Sequence, residues 1–302
     1  MITVIGSVNM DLIATTPRLP EPGETVSGTD FTTAQGGKGA NQALAAQRAG
    51  AAVTMCGAVG DDAFAADALA LLDGAGASLA TVRHVDGPTG IAVILVGGDG
   101  ENMIVVVPGA NGKVTAADAE QAVAAMAEGD TLLLQMEIPE TATEAALTAA
   151  RANGVRSVLN IAPLTDAVER LAPLADIVIA NETEFARLSG QPAETLEAAR
   201  AELERLHNKT RQCMIVTLGG DGVLWARDGE ISHVASLKIT PVDTVGAGDT
   251  FCGYLAQGLD AGLEFSTAVR RAAVAGALAC LKPGAQPSIP LSADVDARLR
   301  DT

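Results

Sequence analysis

Short apolar runs of strand length alternate with longer Ala- and Leu-rich segments along most of the chain. The strand-like runs are Ile2–Gly6, Val53–Val59, Thr131–Gln135, Ser157–Ile161, Ile177–Ala180 and Met214–Leu218. The segments between and after them predict helices at Ala40–Ala49, Ala63–Leu72, Ala116–Ala127, Thr141–Ala152, Thr183–Leu188, Leu196–Leu206, Val245–Leu259 and Ser266–Leu281. This alternation favours an α/β fold in which helices cover both faces of a mostly parallel sheet.

Two stretches interrupt the alternation and predict a smaller β structure. Residues 12–34 contain three prolines and no helical period. Residues 89–108 contain the apolar runs Ile91–Val96 and Met103–Val107 around a glycine-rich turn, a pattern typical of a β-hairpin. We therefore expect one domain over residues 1–302, with a discontinuous β insert that forms a lid over a site or an interface.

The composition limits the classes of function. The chain has 302 residues, of which 48% are hydrophobic and 19% charged, and this excludes a disordered chain. Cys56, Cys213, Cys252 and Cys280 include no C-x-x-C pair, which argues against a disulfide scaffold or a zinc site. A net charge of −17 would repel nucleic acid, although it also serves solubility. Neither a secretion signal nor a membrane-spanning run is visible, so we expect a cytoplasmic protein.

The segment Asp243-Thr-Val-Gly-Ala-Gly-Asp249 opens a predicted helix and carries the strongest chemical signal. Gly246, Ala247 and Gly248 let the backbone approach a ligand, and free amides at a helix N-terminus attract an anion. Asp249 has two interpretations on this turn. It could cap the helix, or it could take a proton from a hydroxyl while the amides stabilise a phosphoryl group.

Glycines and polar residues near the front of the chain predict a binding site. Gly36-Gly-Lys-Gly-Ala-Asn41 precedes a helix and could hold a polyhydroxy ligand or an anion, although it could also be a plain tight turn. It is not a P-loop, because Gly39 follows Lys38 where Ser or Thr is required. Asn9 and Asp11 follow the first predicted strand, where open parallel sheets bind ligands. They suit sugar hydroxyls, or they could form an Asx turn.

Three further polar segments also follow predicted strands. Glu137 stands just after the run at residues 131–135. Asn181 and Glu184 could hold a hydrated Mg²⁺ beside phosphates, or they could simply cap a helix. The segment Thr-Leu-Gly-Gly-Asp-Gly at residues 217–222 could line a nucleotide site or form a hairpin turn. The shared placement of these segments after strands is a stronger signal than any one of them.

The order and spacing of these motifs resemble the ribokinase family of sugar kinases, the PfkB type, over nearly the whole chain. The motifs that carry the resemblance are Gly6-Ser-Val-Asn-Met-Asp11, Gly36-Gly-Lys-Gly-Ala-Asn41, Pro108-Gly-Ala-Asn111, Asn181-x-x-Glu184, Asp243-Thr-Val-Gly-Ala-Gly-Asp249 and Gly284-Ala-Gln-Pro-Ser288. The resemblance implies a three-layer α/β/α fold with a β-sheet lid. It also implies ATP-dependent phosphorylation of the 5-hydroxyl of D-ribose.

Residue roles follow from the same resemblance. It implies that Asp249 is the general base and that Gly246, Ala247 and Gly248 form the anion hole. The implied sugar-binding residues are Asn9, Asp11, Gly37, Lys38, Gly39, Ala40, Asn41, Glu137 and Asp249. The implied ATP-binding residues are Asn181, Thr217, Leu218, Gly219, Gly220, Asp221, Gly222, Gly248, Asp249 and Ala273. At Ala273 the family often has a polar side chain, which weakens the case for a specific hydrogen bond there.

Metal ions and a partner are implied in the same way. Mg²⁺ would lie near Asn181 and Glu184 and be bound through water. A monovalent cation, usually K⁺, would be held, in part by backbone carbonyls, at Asp243, Val245, Ala279, Lys282, Gly284 and Ser288. The Lys282-Pro283 pair departs from a frequent Arg-Lys and would stiffen this loop. The resemblance also implies a homodimer joined through the β lid.

Two other functions stay open on the sequence alone. The first is a kinase of the same family for fructose, a keto-deoxy sugar acid or a nucleoside, because one altered contact could redirect a small polar site. The second is a non-catalytic sensor of sugar or nucleotide, which would have no need for the carboxylate of Asp249. A dinucleotide-dependent dehydrogenase and a serine hydrolase are excluded, because G-x-G-x-x-G does not follow the first strand and G-x-S-x-G is missing.

Overall fold

The computed structural model describes residues 1–193 and 195–301. These residues form the strands β1 (Ile2–Ile5), β2 (Asn9–Thr15), β3 (Asp30–Gly36), β4 (Val53–Gly60), β5 (Ser78–Val85), β6 (Gly90–Val96), β7 (Asn102–Val107), β8 (Thr131–Leu134), β9 (Arg156–Asn160), β10 (Ile177–Asn181), β11 (Cys213–Thr217), β12 (Val223–Arg227) and β13 (Glu230–Val234). The helices are α1 (Lys38–Arg48), α2 (Phe64–Gly74), α3 (Ala116–Ala124), α4 (Glu140–Ala152), α5 (Val168–Leu171), α6 (Glu182–Ser189), α7 (Leu196–Thr210), α8 (Ala247–Asp260), α9 (Phe265–Ala279) and α10 (Ser292–Arg300).

The larger sheet contains nine strands in the order β13-β12-β11-β10-β9-β8-β1-β4-β5 among the described residues. Pairing is parallel from β5 to β11 and antiparallel where β12 and β13 extend the edge. Successive residues of a strand face opposite sides of the sheet. Leu133 therefore packs with α1, α2, α8, α9 and α10, whereas Leu132 and Leu134 pack with the helices from α3 to α7. This arrangement confirms the predicted three-layer α/β/α fold.

A second sheet takes in the two stretches that break the alternation in the sequence. It has four strands in the order β3-β2-β6-β7 over the described part of the chain. Strands β2 and β6 are parallel, and the other two pairs are antiparallel. All six residues of the edge strand β7 are exposed, although five of them are apolar. We call this sheet the lid.

The predicted elements differ from the structure in places that bear on the site. The six predicted core strands are confirmed to within one or two residues, but β5, β12 and β13 were not predicted. The chain turns between Ile5 and Asn9, so Asn9 and Asp11 lie on lid strand β2 rather than in a loop after β1. Helix α1 begins at Lys38, two residues earlier than predicted. No helix within residues 1–193 and 195–301 has the length and apolar character needed to cross a bilayer.

Candidate active site between the core and the lid

The carboxylate of Asp249 lies where the first turns of α8 and α1 meet. Asp249 is buried, with only 7% of its surface exposed. The Asn41 amide Nδ2 donates to Asp249 Oδ2 at 2.9 Å, and the Gln42 amide Nε2 donates to Asp249 Oδ1 at 2.9 Å. The carboxylate therefore turns towards α1 and does not cap its own helix, which has no side-chain cap. Of the two interpretations of this residue, the capping one is wrong.

The first turn of α8 presents free backbone amides beside this carboxylate. The N–H groups of Gly248 and Asp249 have no acceptor among the described residues, whereas the N–H of Ala247 donates to Thr244 O at 3.3 Å. Gly246 precedes the helix with φ 77°, and a Cβ there would lie 2.9 Å from Ala285 Cα. Only glycine fits this turn, and the turn leaves a helix N-terminus open to an anion.

Glu137 lies between the segment that follows β1 and the start of α1, and it forms hydrogen bonds with both. Ser7 Oγ donates to Glu137 Oε2 at 2.5 Å, and the backbone N–H of Lys38 donates to the same oxygen at 3.2 Å. Ser7 Oγ also accepts from the N–H of Gly39 at 3.3 Å. These contacts occupy one carboxylate oxygen of Glu137 and leave the other available for a ligand hydroxyl.

Two lid residues complete the polar wall opposite Asp249. Asn9 Oδ1 accepts a hydrogen bond from Asn111 Nδ2 at 2.7 Å, so the Asn9 amide nitrogen faces away from this contact. The Asp11 carboxylate lies against Gly36, where a Cβ would be 2.3 Å from Asp11 Oδ1. Burial, and then the charges of Glu137 and Asp249, raise the pKa of Asp11 to about 7. Three carboxylates thus face one small region.

Lys38 supplies positive charge in the same region. Burial acts to lower the pKa of its ammonium group, but the nearby carboxylates of Asp249 and Glu137 outweigh burial and the pKa is raised. Its side chain lines a cavity of about 180 Å³ together with Asp249 and Glu184. The lysine therefore stays charged beside the carboxylate and the free amides of α8, as a site for phosphate requires.

A larger cavity of about 630 Å³ adjoins the small one, and Asn181, Thr217 and Gly248 line both. Four of the six residues at 217–222 line it, and the other two, Leu218 and Asp221, do not. This segment is also the connection between antiparallel strands β11 and β12, as its interpretation as a hairpin turn expects, whereas its place in a nucleotide site stays a prediction. Ala273 lines the cavity with Gly276 and Cys280. The size suits a drug-sized or nucleotide-sized ligand.

Asn181 and Glu184 form a reciprocal cap at the start of α6. Asn181 Oδ1 accepts from the N–H of Glu184 at 2.8 Å, and Glu184 Oε2 accepts from the N–H of Asn181 at 2.9 Å. Burial, as the largest cause, raises the pKa of Glu184. Over the described residues, no three His, Cys, Asp or Glu side chains cluster as metal ligands. Any Mg²⁺ here would depend on ligands from a nucleotide and water.

Asp243 links the start of α8 to the loop after α9. Its Oδ1 accepts from the N–H of Val245 at 3.0 Å, and its Oδ2 accepts from the N–H of Gly284 at 2.8 Å. Ser288 is buried and its hydroxyl donates to Ala285 O at 2.8 Å. The segment therefore gathers a carboxylate, a hydroxyl and backbone carbonyls, which are the oxygen donors that a hard cation prefers. The predicted cation-binding residues Ala279 and Lys282 lie on this same segment, and the carbonyl of Ala279 accepts from the N–H of Lys282 at 3.3 Å.

Comparison with known proteins gives the family. The sequence matches the family described as pfkB family carbohydrate kinase over residues 1–291. The chain belongs to this family.

Individual pfkB-family members are similar along almost their whole length. A ribokinase from Haemophilus influenzae is 36% identical over 96% of this chain and 95% of its own length. A deoxyribokinase from Salmonella typhi is 34% identical over 96% of this chain and 95% of its own length. The structure of an Arabidopsis thaliana ribokinase complexed with ribose and ATP superposes with a TM-score of 0.88 at 33% identity, covering 99% of this chain and 98% of that one.

Some side chains of this pfkB-family kinase were not assigned a role from the sequence. Gln42 and Asn160 are buried beside Asp249, and Asn111 orients Asn9. One sequence signal could have found Gln42: it is a polar residue with a long side chain, and it stands in an Ala-rich segment that is predicted to be a helix. Pro108-Gly-Ala-Asn111 was recognised as a family motif, but its contact with residue 9 depends on the fold.

Proposed function

We propose that this pfkB-family kinase transfers the γ-phosphoryl group of ATP to the 5-hydroxyl of D-ribose. The observation that carries the proposal is the position of Asp249, between a wall of sugar-binding polar groups and a nucleotide-sized cavity, next to free amides of α8. Support also comes from relatives that are named ribokinase and from the structural relative that was solved with ribose and ATP.

The sugar would lie between the lid and α1. Asn9 and Asp11 would bind its hydroxyls from the lid, and Asn41 and Glu137 from the core. The backbone at Gly37, Lys38, Gly39 and Ala40 would pass close to the ring, and Gly37 adopts φ 87° there. Asp11 would bind a sugar hydroxyl best as a carboxylate, after it has lost its proton. Because its pKa is raised to about 7, it reaches that form only at neutral to alkaline pH.

Asp249 would remove the proton from the 5-hydroxyl as that oxygen attacks the γ-phosphorus. The bond from the γ-phosphorus to the bridging β–γ oxygen breaks, ADP leaves with that oxygen, and the proton stays on Asp249 until it is released. The free amides of Gly248 and Asp249 and the ammonium of Lys38 would stabilise the charge on the phosphoryl oxygens. A lid that excludes water would limit loss of ATP to hydrolysis.

The nucleotide would occupy the larger cavity. Thr217, Gly219, Gly220 and Gly222 line one side of it and Ala273 lines another. Ala273 offers the nucleotide apolar contact without a side-chain hydrogen bond. Asn181 reaches both cavities, which suits a residue placed between the nucleotide phosphates and Glu184.

Two metal ions fit the residues that are present. Mg²⁺ would be held beside Asn181 and Glu184 through water and the ATP phosphates. K⁺ would be held by the Asp243 and Ser288 side chains with carbonyls of the segment from Ala279 to Gly284, including Lys282, and of Val245. When bound, these ions neutralise phosphate charge and fix the geometry of the loop. Asp243 already joins the two backbone segments that such a K⁺ would bridge.

We also propose that two copies associate through their lids, in the cytoplasm. The exposed residues of β7 include Met103, Ile104 and Val105, and Phe31 on the lid is 63% exposed. A second copy with the same apolar surface would cover them. All four cysteines are free, as is usual in a reducing compartment.

The dimer can be tested by placing a charge on the lid. Val105→Lys is expected to convert a dimer into a monomer in sedimentation velocity, because an ammonium group would be buried at the interface. Leu291→Lys, at a similarly exposed site before α10, is the control and should leave the dimer intact. A wild-type protein that sediments as a monomer at micromolar concentration would remove the proposal.

The reaction can be tested by ADP release with Mg²⁺, with and without K⁺. Ribose is expected to give the highest kcat/KM in a panel with 2-deoxyribose, fructose and adenosine, and Asp249→Asn should lower kcat by about 10²–10⁴-fold. The variant should still bind ATP, since its cavity is unchanged. Preference for another sugar would shift the proposed substrate, and a fully active Asp249→Asn variant would sink the mechanism.

A further inference from the structure

A chain of buried side-chain amides runs from the central sheet to Asp249. Gln135 Nε2 donates to Gln42 Oε1 at 2.7 Å, and Gln42 Nε2 donates to Asp249 Oδ1 at 2.9 Å and to Asn160 Oδ1 at 3.1 Å. Gln42 and Gln135 are fully buried, and Asn160 is 7% exposed. The chain joins α1, α8, strand β9 and the residue that follows strand β8.

The direction of each hydrogen bond in this chain is fixed. An amide nitrogen has two hydrogens, and those of Gln42 go to Asp249 and to Asn160. The oxygen of Gln42 is occupied by Gln135, so turning the amide over would place oxygen against the oxygens of Asp249 and Asn160, and nitrogen against the nitrogen of Gln135. Asn160 is held in turn, because its Nδ2 donates to Ile179 O at 3.3 Å.

The surroundings are also shaped to admit these amides. A Cβ on Gly6 would lie 2.0 Å from Gln135 Oε1, so the residue that follows β1 must be a glycine for this side chain to fit. Gln135 Oε1 has no hydrogen-bond partner among the described residues, which is unfavourable in a buried position. An apolar side chain at position 135 would remove that unpaired oxygen, but it would also remove the donor to Gln42 Oε1. The arrangement therefore favours something other than core stability.

We propose that Gln42 is a positioning residue for Asp249, an inference that rests on the proposed phosphoryl transfer. Asn41 binds one carboxylate oxygen and Gln42 the other, so the plane of the carboxylate is set by two donors from consecutive residues of α1. Gln135 and Asn160 keep Gln42 in the orientation that donates. The remaining lone pairs of Asp249 face the cavity, where the attacking hydroxyl would lie.

The test is the Gln42→Glu variant, which keeps the size of the side chain and removes the donor. Its new carboxyl group would face Asp249 at about 3 Å, so the two would share one proton and their apparent pKa values would separate. We expect kcat at pH 7 to fall roughly 10- to 100-fold, since the base is partly protonated and displaced. The acidic limb of the kcat profile should move up by at least about one pH unit. The KM for ribose should change less than threefold.

The matched control is Gln47→Glu on the same helix. Gln47 donates to Ala75 O and makes no contact with Asp249, so this variant should retain the wild-type kcat and pH profile. Gln135→Glu is a second probe, because it removes the donor that orients Gln42. It is expected to lower kcat less than Gln42→Glu does. The proposal would be overturned if the pH profile of Gln42→Glu coincides with that of the wild type. It would also be overturned if Gln47→Glu shows the same fall in kcat and the same shifted profile as Gln42→Glu.

A second measurement does not depend on turnover. A shared proton means a raised pKa in the folded state, so the Gln42→Glu variant is most stable at acid pH and loses stability as pH rises. Its Tm deficit relative to wild type should grow by on the order of 5 °C between pH 5.5 and 8.5. Adding Asp249→Asn should abolish that growth. If the deficit does not depend on pH, Gln42 does not act on Asp249, whereas a wild-type enzyme inactive on every sugar would count against the proposed reaction instead.

Discussion

The two walls of the cleft differ in how their functional side chains are held. On the core wall, Asp249 is buried and receives hydrogen bonds from Asn41 and Gln42, which are buried too. On the lid wall, β2 begins buried at Asn9, but its residues from Asp11 to Thr15 are only half-buried. Strand β7, two strands away, is exposed throughout.

This difference separates the chemistry from the choice of sugar. Asp249, the proposed base, is fixed by side chains from several buried elements, whereas Asn9 and Asp11, two of the proposed sugar-binding residues, stand on the four-stranded lid. Changes to the core wall should therefore lower kcat or folding stability. Changes to the lid wall should raise the KM for sugar and leave kcat nearly unchanged.

The largest effect is expected where the core wall has no spare space. In Gly39→Ala, the new Cβ would lie 2.5 Å from Ser7 N and 2.6 Å from Gly6 C, and both are backbone atoms. We expect a loss of about 3 kcal/mol or more in the free energy of unfolding, measured by urea denaturation. Gly74→Ala, where no described atom outside its own stretch of α2 lies within 4 Å of the new Cβ, should be neutral or slightly stabilising. Equal effects from the two substitutions would contradict the tight packing assigned to this wall.

A smaller effect is expected at the support of the lid wall. Asn111→Ala removes the donor to Asn9 and also the partners of the Val8 N–H and carbonyl. The KM for ribose should rise about 10- to 100-fold, since an unpaired buried group costs about 1–3 kcal/mol. Asn208→Ala, at an exposed position on α7, serves as the control. A fall in kcat that exceeds the rise in KM would contradict the expectation that changes to the lid wall act on KM rather than on kcat.

The smallest effect concerns the protonation of Asp11. With a pKa near 7, this carboxyl gains a proton as pH falls below that value and then accepts fewer hydrogen bonds from the sugar. The KM for ribose should therefore rise about tenfold between pH 8 and pH 6. In Asp11→Asn, the KM should be high and independent of pH over this range. A wild-type KM that stays constant would place the ionisation of Asp11 elsewhere.

The fold was largely accessible from the sequence, and two of the three strands that were not predicted, β5 and β13, share a physical cause. Buried parallel strands such as β8, with the sequence Thr-Leu-Leu-Leu, are continuous apolar runs. Strands β5 and β13 lie at the two edges of the large sheet and mix polar with apolar residues, as in Glu-Ile-Ser-His-Val. Such strands depend on pairing with a neighbour, and periodicity within the strand does not report this pairing.

The candidate site was predictable in its parts but not in its contacts. The glycine motifs located Asp249 and the start of α1, because a ligand site at a helix N-terminus requires glycines next to it in the sequence. The hydrogen bond from Gln42 to Asp249 joins residues 207 positions apart, and nothing near either residue specifies it. The partners of Gln135 and Asn111 were hidden for the same reason.

Strand β7 has a consequence for how the purified protein behaves in solution. Its run from Met103 to Val107 has no charged gatekeeper residue, and it borders the sheet on an unpaired edge. In the proposed dimer this edge would be covered, and dilution that separates the two copies would expose it to pairing with other extended chains, as in fibril-like stacking. Mutual repulsion from a net charge of −17 opposes that stacking, so added salt should promote aggregation of dissociated copies.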